Sequence, residues 1–140
     1  MYTAIFICLL SLIVSPATSS QLTIQFSNLE ASHVGKYIYI GIWHSNNASF
    51  PDGVLADIPI KRKINSVDFS LQTELEPREY AISVFVDLNG NGELDSNLFG
   101  IPLEPYGFYR DFRPTLSAPD FEDCSFYMDG DQQIKLTLIQ

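Results

Sequence analysis

Between Gln21 and Gln140 the apolar residues recur at every second position in short runs, and no stretch carries helical spacing over three turns. A period of two buries one face of a segment only when that segment is a strand. Leu22, Ile24 and Phe26 alternate with Thr23, Gln25 and Ser27, which leaves one face wet. Ile38, Ile40 and Ile42 alternate with Tyr37, Tyr39 and Trp43, so a second strand is apolar on both faces. Val67, Phe69 and Leu71 alternate with Ser66, Asp68 and Ser70, whereas Tyr80 to Val86 is almost continuously apolar, as a central strand is. Cys124, Phe126 and Met128 are expected to share a face, with Asp129-Gly130 as a hairpin turn and Ile134, Leu136 and Leu138 on the return. The pattern predicts an all-β chain, a single β-sandwich of about seven strands. Lys61-Arg62-Lys63 reads as a solvated hairpin tip that discourages edge pairing.

The first stretch stands apart. Ala4 to Val14 is an apolar run, with Ser11 its one polar residue, followed by Ser15-Pro16-Ala17-Thr18-Ser19-Ser20. Such a run is far short of the ~20 residues that cross a bilayer, and the small residues after it suit a signal peptidase. Residues 1–20 are therefore read as a signal peptide and 21–140 as the β-sandwich domain. The implied location is exported, periplasmic or secreted, with no transmembrane segment in the mature protein. Cys8 leaves with the signal peptide, so Cys124 is the single thiol that remains and has no partner for an intrachain disulfide. It reads as a small core residue.

Charge narrows the partners. The 140 residues carry a formal net charge of -9, which repels phosphate backbones and anionic membrane surfaces, so nucleic acid is excluded as a partner and divalent cations are favoured. Asp87 to Asp131 holds ten acids against two cations, Arg110 and Arg113. Inside it, directly after the most apolar strand, lies Asp87-Leu88-Asn89-Gly90-Asn91-Gly92-Glu93-Leu94-Asp95. Calcium takes six to eight oxygens at about 2.3–2.6 Å, and a short loop supplies them only by curling round the ion with oxygen side chains at alternate positions. Asp87, Asn89 and Asn91 stand at loop positions one, three and five, Gly92 at the sharp turn of position six, and Asp95 at position nine. Glu93 offers its backbone carbonyl at position seven, and Leu94 is expected to anchor inward. Leu98 occupies position twelve, where a helix-loop-helix site has a bidentate Glu, so further oxygens are expected from Asn97, Asp111, Glu122 or Asp123.

Ser96 to Phe121 has no clean period and contains Pro102, Pro105, Pro114 and Pro119. Its aromatic residues imply a loop clamped onto the sandwich. Tyr106, Phe108 and Tyr109, beside Arg110, form a possible ligand surface, and a carbohydrate- or peptide-binding accessory domain is the alternative function. Catalysis has little support: His33 and His44 are the only histidines and fall in no metal or triad pattern. A hydrolase using the loop carboxylates is a third and weaker class. Asn47-Ala48-Ser49 matches the glycosylation triplet and carries little weight.

An ordered series of stretches then resembles a known family: Gly35 to Trp43, Phe50-Pro51-Asp52, Tyr80 to Asp87 running into the Asn-Gly loop, Leu98 to Pro102, Glu104 to Phe108, and Pro119 to Phe126. Over nearly the whole mature chain it is similar to the bacterial exported domain of unknown function family 2141. The resemblance implies an Ig-like or transthyretin-like β-sandwich with no established enzymatic activity. Three departures stand out. Pro77-Arg78 replaces a usual Gly turn, Val86 a frequent His before the loop Asp, and Cys124 a frequent Ala. None removes a proposed calcium oxygen. The expected protein is a non-enzymatic, calcium-stabilised binding or structural module of the cell envelope, with calcium as cofactor at modest affinity and a protein or glycan partner left open.

Overall fold

The computed structural model describes residues 18–44, 50–51, 56–115 and 117–140. The apolar run Ala4–Val14, Cys8 and the Asn47-Ala48-Ser49 triplet lie outside them. Eight strands form in chain order: β1 Ser20–Ser27, β2 Tyr37–His44, β3 Ile58–Lys63, β4 Ser70–Leu75, β5 Glu79–Asp87, β6 Tyr106–Phe108, β7 Ser125–Tyr127 and β8 Gln132–Thr137. Among the described residues helical structure is confined to 3-10 turns, at Ala31–His33, Tyr109–Asp111 and Phe121–Cys124. No helix among them is long and apolar enough to cross a membrane.

The strands make two sheets, one of order β4-β1-β8 and a five-stranded one of order β3-β2-β5-β6 with β7 also on β5. They pack as an open sandwich rather than a closed barrel. Period-two alternation explains the core: Leu22, Ile24 and Phe26 face Ile38, Ile40, Ile42, Ile82, Val84 and Val86 across the interior, all buried. β5 is central as its apolar run requires, pairing with β2 on one side and with β6 and β7 on the other.

Four expectations change. Ser66 to Phe69 is a turn, closed by the Phe69 N–H on the Ser66 carbonyl at 3.3 Å; Val67 is exposed and the strand starts at Ser70. Asp129-Gly130 is not a hairpin: β7 pairs with β5 in one sheet and β8 runs parallel to β1 in the other, so the turn carries the chain between sheets. Lys61-Arg62-Lys63 lies within β3, an edge strand, rather than at a tip. Cys124 closes a 3-10 turn and packs with Trp43, Ala81 and Phe108, while Phe126 and Met128 belong to the main core, so the three do not share a face.

The outer face of the five-stranded sheet is built in cross-strand rows. One row is Lys61-Tyr39-Phe85-Tyr106 and the next is Pro59-Gly41-Ser83-Phe108. At one end Trp43, Phe108 and Cys124 are covered by Phe50, Phe112 and Phe121. The later part of the irregular segment is thus clamped by its aromatics, Tyr106, Phe108, Phe112 and Phe121, whereas Phe99 in its first part is exposed. β6 is in addition pinned to the chain end, where Tyr106 and Ile139 exchange two backbone hydrogen bonds of 3.0 and 2.7 Å.

Candidate functional site

β5 delivers Asp87 to the sheet edge, where the chain curls. Its carboxylate is 2 % exposed, with Oδ1 accepting the Gly90 N–H at 2.6 Å and Oδ2 accepting the Gly92 N–H at 2.9 Å. Gly90 and Gly92 have φ of 85° and 82°, left-handed conformations in which a Cβ is strained. At Gly92 a Cβ would also stand 3.2 Å from the Tyr39 hydroxyl. Asn89 Oδ1 accepts the Asn91 N–H and Asn91 Oδ1 accepts the Glu93 N–H, each at 2.9 Å. Asp95 Oδ2 closes the loop by accepting both Asn89 and Asn91 side-chain amides, at 2.5 and 2.9 Å.

Four of the five predicted metal residues are therefore gathered through side chains: Asp87, Asn89, Asn91 and Asp95. The Glu93 side chain is exposed, in keeping with a residue that offers only its carbonyl. Leu94 does not anchor inward; it is 38 % exposed. Three of the four supplementary donors are engaged elsewhere, and the fourth, Glu122, is exposed. Asn97 Oδ1 accepts the Phe99 and Ile101 N–H groups, Asp111 accepts from Thr137, and Asp123 caps Asp120.

The residue that secures the loop is Glu104, which the motif alone did not single out. It is 5 % exposed, and its Oε1 accepts the Leu88 N–H at 2.7 Å while Oε2 accepts the Asp95 N–H at 3.2 Å. Both ends of the loop hang on one carboxylate. The hint in the sequence was a lone acid between Pro102 and Pro105 inside a family-like stretch. Lys36 adds its ammonium to the Leu88 carbonyl at 2.6 Å.

The donor chemistry fits a hard cation. The loop gathers two of its three carboxylates, Asp87 and Asp95, with two amide carbonyls and backbone oxygens, and has no sulfur or imidazole. Each Asn Oδ1 takes one N–H and keeps a second lone pair. Among the described residues no group of three or more His, Cys, Asp or Glu side chains is assembled as a metal site; the set is mixed, carboxylate with amide.

The possible ligand surface is divided: Tyr106 and Phe108 share a face and Tyr109 does not. Tyr106 and Phe108 lie on the outer face with rings 6.0 Å apart, edge to face, and Phe108 is buried. Tyr109 turns the other way, onto Phe126 of the main core at 5.0 Å. The reason is local: Phe108 is extended, with φ of -131° and ψ of 151°, and adjacent residues of an extended chain point to opposite faces, so Tyr109 turns to the core where Phe108 turns out. His33 is buried, its Nδ1 accepting the Glu30 N–H in a local turn, and His44 lies 3.5 Å from Asp57. Burial, reinforced by the neighbouring Asp123 carboxylate, pushes the Cys124 thiol from 9.0 up to about 12.

No curated protein and no solved structure gives a significant match. Residues 24–135 match the model of a family described as "Uncharacterized protein conserved in bacteria (DUF2141)", and the chain belongs to that family.

Proposed function

We propose that the chain is an exported, non-enzymatic β-sandwich module of the cell envelope, stabilised by calcium at the Asp87–Asp95 loop. The observation that carries this reading is the gathering of Asp87, Asn89, Asn91 and Asp95 around one tight curl whose two ends are tied to buried Glu104. Asp87 and Asp95 would hold the ion by charge, Asn89 and Asn91 by amide oxygens, and Glu93 by its carbonyl. Calcium would supply positive charge to a segment with ten acids and two cations. Export is supported by the apolar run and small residues before Gln21. The non-enzymatic reading is supported by the use of His33 and His44 in local contacts.

Calorimetric titration of chelator-stripped protein tests the metal. Heat of binding in the ~10⁻⁴ to 10⁻³ M range of extracellular modules is expected, and no heat at millimolar calcium would sink the reading.

A further inference from the structure

A cleft of about 950 Å³ opens on the outer face of the five-stranded sheet. The row Tyr39-Phe85-Tyr106 of the sheet forms its floor, and its lining is completed by the turn from Gly92 through Ile101, by Pro114 and Ala118, and by Lys61 of edge strand β3. The volume is that of a small-molecule site, and the lining has the expected character: mainly apolar, with a few polar groups.

The arrangement of the floor narrows the ligand. Tyr39 and Phe85 stack against each other with centroids 4.9 Å apart and planes 4° apart. The ammonium of Lys61 lies 4.9 Å from the Tyr39 centroid, on the side away from Phe85 because β3 and β5 flank β2. Both faces of Tyr39 are therefore occupied, and a sugar ring, which needs a free aromatic face, finds none there. What the stacked pair turns to the cleft is ring edge, which carries positive quadrupole charge and attracts the face of another ring. Phe99, 88 % exposed in the turn, offers a further apolar surface. Its position is built rather than loose: Asn97 Oδ1 holds the turn by accepting the Phe99 and Ile101 N–H groups at 2.9 and 3.1 Å.

Charge sets the orientation. Among the described lining residues Lys61 is the cation and Glu93, in the turn, the anion. Lys61 is exposed, and a lysine ammonium in water is charged at neutral pH; the Tyr39 hydroxyl raises its value further.

We propose that this cleft binds a small aromatic anion, its ring system lying on the Tyr39-Phe85-Tyr106 row and its acidic group directed to Lys61. The floor stands on the sheet; of the Asp87–Asp95 curl only Gly92, Glu93 and Leu94 enter the lining, and the floor does not require an ion in the curl.

Two probes test it: 8-anilinonaphthalene-1-sulfonate, an aromatic anion, and the uncharged N-phenyl-1-naphthylamine. Both are expected to bind at one saturable site and to shift the amide resonances of Tyr39, Ser83, Phe85 and Tyr106. Lys61→Met should weaken the sulfonate about three- to fivefold, as an exposed charge pair is worth up to about 1 kcal/mol, and leave the uncharged probe unchanged. Leu98 is fully exposed at 102 % and outside the cleft lining, so Leu98→Ser should alter neither. Loss of binding in Leu98→Ser would place the probes on the exposed turn tip and overturn the proposal. So would several non-saturating sites, or a Lys61→Met variant that affects both probes equally or neither.

Discussion

Glu104 Oε2 accepts the Asp95 N–H at 3.2 Å, and a second bond runs beside it, from the N–H of Leu103, the residue before Glu104, to the Asp95 carbonyl at 2.8 Å. The same carboxylate holds Leu88, so the acidic curl is closed from outside its own sequence. Glu104→Gln tests the role of that charge. The amide keeps one acceptor oxygen but turns an NH₂ group toward a backbone donor, leaving a buried N–H unsatisfied. Such a loss costs about 1–3 kcal/mol, read as a lower urea midpoint at unchanged slope, and calcium affinity should fall with it. An unchanged midpoint would show that the loop closes without Glu104.

Calcium should raise stability by mass action. At 100 times Kd the gain is about 2.7 kcal/mol, read as a higher Tm that magnesium reproduces poorly because it sheds water reluctantly. Asp87→Ala should remove more of the gain than Asp95→Ala. Asp87 is buried and also caps Gly90 and Gly92, whereas Asp95 is half-buried and position nine often binds through water. The reverse order, measured as the calcium-dependent part of Tm in each variant, would overturn this assignment.

The contrast between Asp87 and Glu104 shows what was legible. Alternation located β1 and β2, and a continuous apolar run located β5, because both are local properties of the chain; the Asp87–Asp95 spacing located the curl for the same reason. Glu104 enters from the far side of an irregular segment, and no local period announces such a meeting. β6, of three residues, is too short to show a period. Asp129-Gly130 carries hairpin chemistry, yet whether the next strand returns to the same sheet depends on β1, whose parallel edge β8 fills. Val67 misled because turn residues happened to continue the alternation of Leu71. On the outer face the aromatic identities were visible, but the row Lys61-Tyr39-Phe85-Tyr106 exists only through the registers of three strand pairs.

Cys124 should react slowly and shape the alkaline limit of stability. It is fully buried, and its thiol titrates near 12 in the fold against 9.0 ordinarily. The neutral form is the one the fold prefers, so the stabilisation is fully present below pH 9 and is lost as pH rises from there toward 12. Native protein should resist a thiol reagent at pH 8 and react at once in denaturant. Urea midpoints measured from pH 8 to 11 should fall less steeply in Cys124→Ala than in the parent, after allowing for Tyr80, whose burial also raises its value. Rapid native labelling at pH 8, or parallel midpoint curves, would contradict the burial of an un-ionised thiol.

Gly107 joins the two sheets by having no side chain. It lies in β6 opposite Val84, and a Cβ there would stand 2.8 Å from Leu136 Cδ2 and 2.8 Å from the Thr137 carbonyl oxygen. The leucine methyl can swing aside, but the carbonyl belongs to β8 and cannot move without the strand. Gly107→Ala should therefore destabilise by about 1–3 kcal/mol, the usual penalty of overpacking. Removing the flexible obstacle separates the two contacts. If the backbone contact dominates, adding Leu136→Ala to Gly107→Ala restores no stability and adds the loss of a buried leucine, about 2–5 kcal/mol. Recovery of the parent's urea midpoint in the double variant would show that the leucine methyl, and not the Thr137 carbonyl, sets the distance between β6 and β8.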